Sequence, residues 1–228
     1  MRAPSTRRAP WLAGAALLAG FAAAAHAAPV ESADRLTREA LALPARPEHG
    51  AALFDAYCSR CHGDGARGDP EQVVPALAGQ RIPYLIRQLA DFLAGERDSR
   101  TMHAIVDQPD LRSPQAWSDL AAYLNREPAL PAPETGDGRQ VALGRGIYRE
   151  QCASCHRADA RGSDRGFVPS LRSQHYGYLV RQLHKLADYR RHNMDIGLVK
   201  FMQSFDDRDI QAVADYLARL GATARSAG

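Results

Sequence analysis

Cys58-Ser59-Arg60-Cys61-His62, read CSRCH, returns 94 residues later as CASCH from Cys152 to His156, and the two copies use all four cysteines of the 228-residue chain. Sliding the chain by 94 residues also brings Gly50 onto Gly144, and the match runs without a gap to Leu89 on Leu183. Of those 40 aligned positions 16 are identical, among them Gly50, Arg67, Gly68, Pro75, Gln80, Tyr84 and Gln88. Self-similarity on this scale implies two homologous units in tandem.

The surrounding sequence sets their limits. Arg2, Arg7 and Arg8 precede the apolar run WLAGAALLAGFAAAA and the small residues Ala25-His26-Ala27, the pattern of a secretory signal over residues 1–27. The apolar run is too short to span a bilayer as an anchor. Export to the periplasm is therefore expected, with peripheral membrane association left open. REPALPAPETGDG, Arg126 to Gly138, is rich in proline and glycine and reads as a linker. The expected units are residues 28–127 and 139–228, joined by a linker over 128–138.

Composition excludes one class of partner. Without the three signal arginines the chain holds 26 basic and 26 acidic side chains. No basic stripe for nucleic acid results.

The local patterns are helical. Ser113 followed by Pro114 suits a helix start, with Trp117, Leu120, Ala121 and Leu124 on one face. Asp206 heads a matching pattern of Ile210, Val213, Ala214, Leu217 and Leu220. Further helices are expected over 84–93, 178–187, 51–57 and 145–151, and no run of alternating β-branched residues stands out. An all-α unit this small, with long glycine- and proline-containing loops, buries too little apolar area alone. Something large and apolar should complete each core.

That component follows from the opening motif. A Cys-x-x-Cys pair on a helical turn can bond through thioethers to the vinyl groups of a haem while the adjacent histidine reaches the iron. Cys58, Cys61, Cys152 and Cys155 are thus the candidate attachment points for two covalently bound haem c groups, with His62 and His156 as proximal ligands. A shared four-cysteine zinc site would want its pairs closer together and leaves the histidines unexplained. A redox-active Cys-x-x-Cys would want a βαβ setting, and disulfides between neighbours this close would close only short loops.

A thioether is the expected sixth ligand of a c-type iron. Met102 has no rival in its unit and is expected in a loop between two helices. In the second unit HNMDIGLV aligns with RTMHAIVD after a two-residue deletion, favouring Met194 over Met202, with His192 or an open position as further possibilities. Pro75 and Pro169 each stand 13 residues after a haem histidine, placed for a carbonyl to accept its remaining N–H. His49, His103, His175 and His184 read as ordinary surface or core histidines.

The tandem Cys-x-x-Cys-His units, the segments PALAGQRIPYLIRQLADF and PSLRSQHYGYLVRQL, and a methionine before the last helix of each unit resemble the dihaem class I cytochromes c of the cytochrome c-four kind. The resemblance covers the chain from about Gly50. It implies two haem domains related by an approximate twofold axis, His62 and His156 as proximal and Met102 and Met194 as distal ligands, and a periplasmic carrier feeding a terminal oxidase or reductase. The second unit departs from the first in reading CHRADARG for CHGDGARG. A dedicated subunit of a periplasmic dehydrogenase, or less readily a dihaem enzyme, is the alternative. A carrier needs no vacant iron position, whereas enzyme chemistry does, so the expectation is that the chain is not an enzyme.

Overall fold

The computed structural model describes residues 32–221. The expected signal segment lies outside the described residues. Among them the regular structure is helical, in two halves of like architecture.

The first half opens with α1, Ala33–Ala42, which the sequence patterns had not announced. Ser32 caps it, its side chain accepting from the Arg35 N–H, and Leu36 and Ala40 are buried against α4 and α6. Next come α2 (Pro47–Tyr57), the one-turn α3 (Ser59–His62), α4 (Ile82–Ala94), α5 (Arg100–Val106) and α6 (Pro114–Arg126). Ser113 caps α6 as its spacing predicts, accepting from the Ala116 N–H at 3.2 Å. From α2 onward the second half repeats this order with α7 (Val141–Ile147), a wider π turn at Tyr148–Cys152, α8 (Ala153–His156), α9 (Tyr176–Ala187), α10 (Ile196–Met202) and α11 (Asp207–Arg219), without a counterpart of α1 among the described residues.

Each half is built around one close helix crossing. A Cβ added at Gly50 would lie 2.1 Å from the Asp119 carbonyl oxygen, and one at Gly144 would lie 1.9 Å from that of Ala212. Only glycine lets α2 approach α6, and α7 approach α11, this closely. The same tilted aromatic pair sits beside both crossings: Phe54 with Tyr123 and Tyr148 with Tyr216, each with centroids 5.5 Å apart at 48°. Trp117, fully buried, donates from its indole N–H to the Leu111 carbonyl and anchors the first core.

The halves clasp one another through reciprocal contacts. Gln80 donates to the Ser170 carbonyl (2.9 Å) and accepts from the Ser170 N–H (2.8 Å). Gln174 does the same to Ala76, at 2.9 and 3.0 Å. Arg97 reaches the Tyr178 hydroxyl and Gln182, while Arg191 reaches the Tyr84 hydroxyl and Gln88. Each member of these pairs stands 94 residues from its mate, so the interface is isologous within one chain. Burial of these polar groups is tolerable because each finds a partner.

Candidate haem centres

Each cysteine pair rides on a single helical turn. α2 ends at Tyr57, Cys58 caps it, and α3 carries Ser59 to His62, so Cys58, Cys61 and His62 share one turn. The second half does the same with Cys152, Cys155 and His156 at the start and end of α8. In both, the leading cysteine is half-buried and the following one exposed, and none of the four is in a disulfide.

The histidines are held by one device used twice. His62 Nδ1 lies 3.0 Å from the Pro75 carbonyl and His156 Nδ1 lies 3.1 Å from that of Pro169, so both nitrogens carry the proton and donate. That leaves each Nε2 lone pair for an iron. Burial, only partly opposed by the carbonyl bond, lowers both imidazole pKa values and keeps the rings neutral, the form that ligates. The loops that bring the prolines here close in the same way, through isolated bridges between Asp69 and Val74 and between Ser163 and Val168.

The thiols point away from redox chemistry of their own. Burial, with the second cysteine nearby, pushes Cys58 up to about 12 and Cys152 up to about 11. A redox-active pair needs the reverse shift. Among the described residues no group of three or more His, Cys, Asp or Glu side chains could hold a metal ion, which removes the shared zinc site. The donor set that remains, two thiols and a carbonyl-oriented imidazole on one helical turn, fits a covalently attached haem.

The methionines differ more. Met102 is half-buried in the first turn of α5, not in a loop: Ser99 caps that helix by accepting from the Met102 N–H at 3.3 Å. Met194 is half-buried just ahead of α10, and Met202, 3% exposed, ends that helix in a cluster with Leu186 and Val199. His192 is exposed, and His175 is not an ordinary core histidine: it is buried between the halves, its Nε2 donating to the Arg67 carbonyl at 2.8 Å. The interface residues Arg97 and Arg191 were missed by motif reading, although their 94-residue separation was open to view.

Comparison with known proteins decides the family. Residues 141–221 match the Cytochrome c family and residues 45–124 match the family described as Cytochrome C oxidase, cbb3-type, subunit III. Cytochrome c4 of Pseudomonas aeruginosa is 30% identical over 178 residues, 72% of this chain and 84% of that protein. The chain belongs to the cytochrome c4 family. It therefore carries two covalently bound haem c groups and is a dihaem electron-transfer cytochrome. A protein of Stutzerimonas stutzeri named thiosulfate dehydrogenase electron acceptor is 31% identical over 186 residues, 75% of this chain and 82% of that one. Reduced cytochrome c4 from Pseudomonas stutzeri superposes with a TM-score of 0.68 at 26% identity, covering 77% of this chain and 99% of that one.

Proposed function

We propose that the chain is an exported, periplasmic electron carrier serving a terminal oxidase or reductase, with iron ligands His62 and Met102 in the first half and His156 and Met194 in the second. Once attached, each haem supplies one-electron exchange between ferrous and ferric iron. The observation that carries the reading is the reciprocal clasp of Gln80 on Ser170 and Gln174 on Ala76, which holds two haem domains as one body. A fixed separation suits transfer within the molecule between two docking events.

The Met194 assignment draws support from the burial of its rival, Met202. Val106 and Met202 are the last residues of the seven-residue helices α5 and α10, and both are buried, so Met202 fills a core position. The test is ferric-state spectroscopy with a redox titration: Met194→Leu should remove one methionine-to-iron charge-transfer band and lower one potential, while Met202→Leu leaves both bands. The reverse pattern would exchange the two roles, and rapid carbon monoxide binding at either haem of the unaltered protein would speak for an enzyme.

A second reading, service as the dedicated acceptor of a periplasmic dehydrogenase, is favoured by the name of the Stutzerimonas stutzeri relative. Reduction of the purified holoprotein by a purified thiosulfate dehydrogenase plus thiosulfate, faster than by other donors, would establish it.

A further inference from the structure

The two halves share a fold but not a charge. Residues 32–127 hold 11 basic and 14 acidic side chains, net −3, whereas residues 139–221 hold 14 and 9, net +5. The difference falls on matched positions, 94 residues apart. Asp55 becomes Arg149, Glu71 becomes Arg165, and Gly63 becomes Arg157, all three arginines exposed. Arg139 pairs with Asp137 of the preceding segment, and within the second half Arg161 pairs with Asp159, Arg190 with Asp188 and Arg219 with Asp215, whereas Arg149, Arg157 and Arg165 form no ion pair among the described residues. Because the first half folds alike with the opposite sign, the fold does not require these cations.

Their placement is specific. Arg149 lies in the π turn that leads into Cys152, Arg157 follows His156, and Arg165 lies on the loop returning to Pro169. The Tyr148 hydroxyl donates to the Arg157 carbonyl at 2.6 Å, drawing the first two segments together. Arg157 also adopts φ 68° and ψ 161°, a region that favours glycine, and glycine stands at the matching position in the first half. A cation is kept there at the expense of backbone strain. Phe167, two residues from Arg165, is 37% exposed, an aromatic surface among the charges.

We propose that Arg149, Arg157 and Arg165, around the second haem-attachment motif, form the docking face for an acidic surface on a protein redox partner, and that the first half does not take that partner. This rests on the carrier reading above. Exposed aromatic and arginine groups are the side chains that interfaces favour, and exposed cations not engaged in ion pairs steer an acidic partner by long-range attraction.

The test uses the haem-loaded protein in stopped-flow mixing with an acidic blue-copper protein as one-electron oxidant, each copper taking one electron from one ferrous haem. Tris(phenanthroline)cobalt(III), each complex likewise taking one electron, serves as the cationic oxidant. The double variant Arg149→Glu/Arg165→Glu should slow the blue-copper reaction about tenfold or more at low ionic strength, remove its salt dependence, and leave the tris(phenanthroline)cobalt(III) rate no slower. Arg157→Gly, which keeps the backbone geometry, should give a smaller loss in the same direction. Asp55→Lys/Glu71→Lys should not slow the blue-copper reaction. Unchanged blue-copper rates in folded double variant and in Arg157→Gly would overturn the proposal. So would binding to phosphatidylglycerol vesicles that the double variant abolishes while blue-copper rates stay the same, since the occupant would then be a membrane. Failure of the unaltered protein to exchange electrons with any oxidant would instead remove the carrier reading itself.

Discussion

Arg157 holds the same backbone conformation as Gly63, with φ 68° in both and ψ 161° against 169°. Each follows the haem histidine and turns the chain out of the Cys-x-x-Cys-His helix. For a residue with a Cβ this region costs about 1–3 kcal/mol. Arg157→Gly relieves that strain but frees the unfolded chain, at about 0.5–1 kcal/mol. The expected result is a net gain of about 1 kcal/mol in the second half, whereas Gly63→Ala should destabilise the first. Urea melts of the haem-loaded protein followed by far-UV dichroism would show both signs, and a loss with Arg157→Gly would remove the strain argument.

Gly50→Ala and Gly144→Ala press a methyl into a backbone carbonyl, 2.1 and 1.9 Å away. Backbone yields less readily than a side-chain tip, so the loss should reach about 3 kcal/mol or more for each. Differential calorimetry should find the two effects separable, each lowering the transition of its own half. A shift within error for either variant would mean that the crossing can open without cost.

Gln174→Ala leaves the Ala76 N–H and carbonyl without the partner that holds them at 3.0 and 2.9 Å. Each unsatisfied group costs about 1–3 kcal/mol if it stays buried. The halves should then undock more often, exposing the segment 128–138 between them, and limited proteolysis there should be faster than in the unaltered protein. Equal cleavage rates would show that the remaining interface suffices.

Asp119 gives the first half a distinct acid response. Its side chain is fully buried, which by itself raises the carboxyl pKa. Hydrogen bonds from His49, the Arg46 N–H, Gln115 and the Arg46 guanidinium outweigh burial and hold the carboxyl below its usual range. A carboxylate with a depressed folded pKa contributes stability that is present above the unfolded value, about 4, and is lost as pH falls through the folded value. Ala212 stands at the matching position beside Gly144, so the second half lacks this group. Asp119→Asn should destabilise the first half by about 1–3 kcal/mol at neutral pH and flatten its stability curve below about pH 4. Urea midpoints measured across that range would reveal an unchanged slope if the assignment is wrong.

The repeat made most of the molecule legible in advance. Cys58, Cys61 and His62 with their copies specify haem attachment, and the apolar spacing after Ser113 and Asp206 specifies the last helix of each half, because thioether chemistry and helix periodicity are both local in sequence. Pro75 and Pro169 were placed correctly against the histidines for the same reason, a fixed interval repeated. What depended on distant segments meeting was not legible. The α1 helix owes its burial to α4 and α6, Met102 lies in a helix because Ser99 caps it, and Arg97, Arg191, Gln80 and Gln174 acquire their roles only when one half faces the other. By itself the sequence determined a tandem pair of haem-binding helical units. The tertiary structure decided how the pair is joined and where its strain and unpaired charge reside, since buried polar groups and backbone conformations are settled by partners far away in the chain.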